Sequence, residues 1–135
     1  MKYTSKQFVR WDDLDAMSHV NNAKYLTYAQ EARFIWSTSV FSSAMNASTL
    51  IEMVVARAEV DFYEPIYEGG RFVDIDISVE KIGNSSFNVL YTIRDEDTVF
   101  AKVKTVQVAI SLETKKSRPL TEKEREFLTK YLETN

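Results

Sequence analysis

The stretch Arg10-Trp11-Asp12-Asp13-Leu14-Asp15-Ala16-Met17-Ser18-His19-Val20-Asn21-Asn22-Ala23-Lys24-Tyr25 decides how the rest of the chain is read. Its first part is a polar loop that holds the spaced carboxylates Asp13 and Asp15 and the chain's single histidine, His19. It closes on two asparagines, and asparagine is among the best residues for capping a helix start. The unsatisfied N–H groups of that helix, and the positive end of its dipole, point back toward the loop. Carboxylates and a field favouring negative charge therefore meet at one place. Such a place suits reactions in which a carboxylate acts as nucleophile or base while an oxyanion develops beside it.

From Asn22 to about Thr38 the pattern is helical. Tyr25, Tyr28, Ala29, Ala32, Ile35 and Trp36 recur on one face, and Leu26 and Phe34 lie off it. A helix apolar around much of its circumference is expected to be wrapped by a sheet. Upstream, Tyr3 to Trp11 reads as a weak first strand with Tyr3, Val9 and Trp11 on one face. Downstream, after a Ser/Ala/Asn-rich connection, the period changes to two. Val54, Ala56, Ala58, Val60 and Phe62 alternate with charged residues, and Pro65 and Gly69-Gly70 end that strand. Val73 to Val79 and Phe87 to Ile93 alternate likewise, separated by Gly83-Asn84 and followed by the turn Asp95-Glu96-Asp97.

The last strand changes phase, with Val99, Ala101 and Val103 on one parity and Val106, Val108, Ile110 and Leu112 on the other. This predicts a β-bulge near Lys104 or Thr105, or a face that a partner subunit buries differently. Thr121-Glu122-Lys123-Glu124 is a capping-box pattern and predicts a short terminal helix. The elements read as one α+β domain over residues 1–135, a helix packed on an antiparallel sheet.

Composition narrows the function. The 135 residues are 44% hydrophobic and 27% charged, with a net charge of −3, so a nucleic-acid binder is not expected. The absence of cysteine excludes disulfides, thiolate metal sites and a cysteine nucleophile. With one histidine, no metal site and no cofactor are expected. No apolar run reaches membrane-spanning length, and a cytoplasmic location is expected.

The opening stretch resembles the 4-hydroxybenzoyl-CoA thioesterase family and, more closely, the acyl-ACP thioesterases. The shared pattern is D-x-D, then H-V-N-N-x-x-Y, then a tyrosine-rich helix ending in Glu31-Ala32-Arg33. The resemblance continues through Val60-Asp61-Phe62, Gly83-Asn84-Ser85-Ser86-Phe87 and Arg118-Pro119-Leu120. It implies a hotdog fold, in which a five-stranded antiparallel sheet wraps one long central helix, with a short C-terminal helix added. It implies hydrolysis of an acyl-CoA or acyl-carrier-protein thioester. Asp15 would be nucleophile or general base, His19 its companion, and the backbone N–H of Asn22 the oxyanion donor. Met17 stands where the acyl-ACP enzymes have an asparagine, which moves the resemblance toward acyl-CoA enzymes. It also implies a homodimer or homotetramer whose central helices meet across a two-fold axis, with the site shared between subunits.

Tyr25, Tyr63 and Ser86 are the expected substrate-binding residues, and Lys81, Lys102 and Lys104 the cations for the ligand's phosphates. Each has a plainer role. Asp13 suits a turn, Tyr25 and Tyr28 suit packing, and the lysines suit a solvated outer face. Two other functions share the ligand. A hotdog hydratase or dehydratase would space its residues as D-x-N-x-x-H, whereas Asp15 to His19 reads D-x-M-x-H. A non-catalytic acyl-CoA-binding module would not need Asp15.

Overall fold

The computed structural model describes residues 1–41 and 52–133, and the Ser/Ala/Asn-rich connection falls outside them. The elements are β1 (Tyr3–Val9), α1 (Lys24–Ile35), β2 (Met53–Phe62), β3 (Arg71–Ile82), β4 (Ser86–Asp95), β5 (Thr98–Ala109) and α2 (Glu122–Lys130). The strands form one antiparallel sheet in the order β1-β3-β4-β5-β2. Val73, Ile75, Ile77 and Val79 of β3 and Phe87, Val89, Tyr91 and Ile93 of β4 are buried. With them are Tyr25, Tyr28, Ala29 and Ala32 of α1, as the two periodicities predict. This is the α+β hotdog arrangement expected from the sequence.

α1 continues into a π-helical turn, Trp36–Phe41. The hydroxyls of Ser37 and Thr38 both donate to the Phe34 carbonyl, at 3.1 and 2.8 Å. Side-chain donors at a helical carbonyl compete with the α ladder and loosen it. Trp36 then reaches the end of the sheet, packing on Phe127 and Tyr131 at ring distances of 5.2 and 5.3 Å. α2 starts as its capping box requires. Glu124 N–H donates to Thr121 Oγ1 at 3.1 Å, and Thr121 N–H donates to Glu124 Oε1 at 2.8 Å.

Three expectations need correction. The first strand stops at Val9, and Trp11 leaves it in a 3-10 turn. Its indole lies over Gly69-Gly70, where a Cβ at Gly69 would come within 3.0 Å of the Trp11 backbone. The φ of Gly70, 78°, suits glycine for a second reason. In β2 the register shifts between Val55 and Arg57, so Met53 and Val55 share the inner side with Ala58, Val60 and Phe62, while Val54 does not.

The third correction concerns β5. Its irregularity is not at Lys104 or Thr105 but opposite Ile93 and Arg94, where Phe100 is the extra residue. Beyond it Ala101, Val103, Thr105, Gln107 and Ala109 are all buried in one unbroken parity. The apparent phase change arises because two inward positions are polar.

Candidate active site

The loop before α1 is a small hairpin. Leu14 and Val20 form a β-bridge, and Asp15 N–H donates to the His19 carbonyl at 2.9 Å. Ser18 N–H donates to the Asp15 carbonyl at 3.0 Å, and Ser18 turns the chain with a φ of 61°. This pairing puts Asp15 and His19 side by side, Asp15 Oδ1 lying 3.9 Å from His19 Nδ1, and both side chains are about 30% exposed. Oδ1 also accepts the Met17 N–H at 2.9 Å. Oδ2 has no hydrogen-bond partner among the described residues.

Asp13 is a different kind of carboxylate. It is fully buried and accepts from the Tyr28 hydroxyl at 2.6 Å, the Arg10 N–H at 3.1 Å and the Arg10 guanidinium at 3.3 Å. Lys24 Nζ lies 3.7 Å away. Burial alone would raise its pKa, but the Tyr28 and Arg10 hydrogen bonds together outweigh burial and hold the carboxyl below its ordinary value. Burial first, and then the bond to Asp13, push the Tyr28 hydroxyl far above its ordinary value, so it remains a donor. Asp13 is thus the clamp that ties the loop to α1, and its carbonyl also accepts the Asn21 N–H at 2.9 Å.

At the helix start Asn21 Oδ1 accepts the Ala23 N–H at 2.9 Å, and the Asn21 carbonyl accepts the Lys24 N–H at 2.9 Å. The helix therefore begins two residues later than predicted, after a capped turn. Between these bonds the Asn22 N–H has no acceptor among the described residues. Asn22 also lines a cleft of about 170 Å³, together with His19, Tyr25, Phe62, Tyr63 and Pro65. Tyr25 is buried with its ring edge-on to Phe62 at 5.1 Å, and its pKa is raised by burial.

The fold thus gathers His19, Asn22, Tyr25 and Tyr63 and sets Asp15 beside His19. It treats the remaining candidates unequally. Lys102 Nζ sits 5.9 Å over the Tyr63 ring, at the edge of this region. Lys104 is held by Glu80 at 3.1 Å, and Lys81 is exposed on β3. Ser86 pairs with Val108 while Phe62 pairs with Ala101, so within one chain Ser86 is about 24 Å along β5 from the cleft.

The sequence reading missed a buried polar chain under the far end of α1. Arg33 Nη1 donates to the Tyr91 hydroxyl at 2.8 Å. The Tyr91 and Thr105 oxygens lie 2.9 Å apart, and Gln107 Nε2 donates to Thr105 Oγ1 at 2.9 Å. The misread phase change in β5 was its signal.

A five-stranded sheet wrapped around one long helix, with a carboxylate-bearing loop at the helix start, is the architecture of a hotdog-fold thioesterase. The chain belongs to the thioesterase-like superfamily, whose family model matches residues 9–128. It is similar to the 1,4-dihydroxy-2-naphthoyl-CoA hydrolase of Rippkaea orientalis, with 27% identity over 128 residues, 89% of this chain and 90% of that one. Among solved structures it is similar to a thioesterase from Thermus thermophilus complexed with coenzyme A and zinc. The identity there is 28% and the TM-score 0.76, over 95% of this chain and 92% of the other. A predicted thioesterase from Bacillus stearothermophilus shares the fold at a TM-score of 0.85 and 23% identity, over 100% and 99% of the two chains. The expected hotdog enzyme of the thioester-hydrolase class is borne out. Among the described residues no helix is long and apolar enough to cross a membrane.

Proposed function

We propose that the enzyme hydrolyses an acyl-CoA thioester in the cleft at the start of α1, with Asp15 as general base. The observation that carries this is Asn22, whose N–H has no acceptor among the described residues and which lines one cleft with His19, the neighbour of Asp15. The thioester carbonyl oxygen accepts that N–H, where the helix dipole favours its developing charge. Asp15 Oδ1 is anchored on Met17, so Oδ2 is the working atom. It takes a proton from water, whose oxygen adds to the carbonyl carbon. The tetrahedral intermediate then breaks its C–S bond, releasing the acid and the thiol, which regains the proton. His19, at 3.9 Å, borders the same water and orients it.

The working unit is a homodimer or a larger assembly built from it. β2 is an edge strand, and its Val54 and Val55 are 44% and 46% exposed, as are Leu26 and Phe34 of α1 at 40% and 55%. Pairing β2 with its two-fold copy covers that edge and completes the cleft. It also carries the partner's β4 start, with Ser86, toward this cleft. Lys102, the cation nearest Tyr63, is placed to meet the nucleotide phosphates, with Lys81 and Lys104 further along the outer face.

Free-thiol release from a panel of acyl-CoAs, 1,4-dihydroxy-2-naphthoyl-CoA among them, tests the activity. Asp15→Asn should lower kcat by about three orders of magnitude in a folded protein. A near-wild-type rate removes Asp15 from the chemistry. Full specific activity in a protein that sediments as a monomer removes the shared site.

A further inference from the structure

Thr105 and Gln107 are polar residues on the inner face of a central strand, and they connect to Arg33 through Tyr91. Arg33 differs from the other arginines. Arg10, Arg57, Arg71, Arg94 and Arg118 each pair with a carboxylate, and Arg125 donates to the carbonyls of Gly83 and Asn84. Arg33 donates only to a phenol, and no carboxylate reaches it among the described residues. This partly buried cation lines a groove of about 350 Å³ with Gln30, Phe34, Met53, Val55 and Gln107. Apolar walls ending on a guanidinium and an amide suit an apolar ligand with an anionic end.

The groove and the catalytic cleft lie along one path. Tyr25 meets Phe62 at the start of α1, and Arg33 meets the Met53–Val55 end of β2, about 12 Å further along the helix. Two-fold pairing of β2 sets the Met53 end of one subunit beside the Phe62 end of the other, which brings the partner's groove against the cleft. We propose that the groove receives the far end of the acyl group and selects acyl-CoAs whose acyl chain ends in a carboxylate, the half-thioesters of dicarboxylic acids. This rests on the thioesterase reading above and adds the substrate class.

The test compares kcat/KM for carboxylate-ended and methyl-ended acyl-CoAs matched in length, across a series of lengths. At one length or more, the wild type should prefer the carboxylate by at least about tenfold, equivalent to about 1.4 kcal/mol. Arg33→Gln should bring that preference below about twofold, Arg33→Lys should keep part of it, and Gln107→Leu should reduce it. A preference at or below one at every length overturns the proposal, as does a preference untouched by Arg33→Gln. So does faster turnover of a neutral hydroxyaryl-CoA than of every carboxylate-ended member. If no thioester releases thiol, the thioesterase reading fails instead. Calorimetric binding of the free dicarboxylic acids, with its dependence on Arg33, then judges the groove alone: loss of binding in Arg33→Gln supports it, and no binding to the wild type refutes it.

Discussion

Replacing Tyr28 by phenylalanine removes one oxygen and leaves the ring in place. That oxygen donates at 2.6 Å to Asp13, a carboxylate with no exposed surface. A hydrogen bond to a charged group contributes about 1.5–3 kcal/mol. The loss should sit within that range, because Asp13 keeps the Arg10 N–H, the Arg10 guanidinium and the nearby Lys24 ammonium. For a domain of this size the change corresponds to a fall in Tm of about 5–12 °C. The pH dependence follows from the lowered pKa of Asp13. A carboxylate with a depressed folded pKa stabilises the fold above its unfolded pKa, about 3.9, and loses that contribution as pH falls through the folded value. The gap between wild type and Tyr28→Phe should therefore be widest near neutrality and shrink below about pH 4. Calorimetric scans from pH 3 to 8 measure it. A Tm within 1 °C of wild type at pH 7, where the ~5 °C floor was expected, refutes the clamp. A gap that widens in acid refutes the sign.

His19→Ala should lower kcat by about tenfold to a hundredfold, between wild type and Asp15→Asn, and an unchanged rate makes it a loop residue only. Thr121→Ala should cost about 1 kcal/mol in a urea titration, since it deletes one half of the α2 capping box. No shift in midpoint would mean that Arg118, bidentate on Glu124 at 3.0 and 3.1 Å, holds the helix start unaided. Replacing Lys81, Lys102 and Lys104 together by glutamine should raise KM for acyl-CoA most at low salt, with Lys102 giving the largest single effect. A KM unchanged across ionic strength removes the lysines from the phosphate site.

Much of the fold was legible because it depends on patterns within each segment. Alternation placed β3 and β4, the capping box placed α2, and spacing on α1 selected Tyr25, Tyr28, Ala29 and Ala32 for burial. Failures occurred where one segment depends on another. Trp11 belongs with Gly69-Gly70, a partner 58 positions away that no local period reveals. The break in β2 follows from its pairing with β5. Thr105 and Gln107 read as a misplaced face because Gln107 donates to Thr105, and Thr105 is satisfied by Tyr91 of β4, which in turn accepts from Arg33 of α1. Within the candidate site, the stretch from Asp13 to Tyr25 carried the chemistry. It did not distinguish the two carboxylates by environment. That difference comes from Tyr28 and Arg10, which bury and saturate Asp13 and leave Asp15 at the surface.

The chain's two tryptophans occupy opposite settings, and this makes them separate optical reporters. Trp36 has no exposed surface and lies among the rings of Phe127 and Tyr131. Its emission should be blue-shifted and shielded from iodide, and its asymmetric aromatic surroundings should dominate the near-ultraviolet circular dichroism. Trp11 stands largely in solvent over Gly69-Gly70, two residues from Asp13. Its emission should be red-shifted and open to collisional quenching. A ligand entering beside Asp15 should change the quenchable fraction while leaving the shielded fraction constant. Phenylalanine at position 11 would then silence the binding signal and keep the folding signal, so that one fluorimeter follows occupancy and integrity independently.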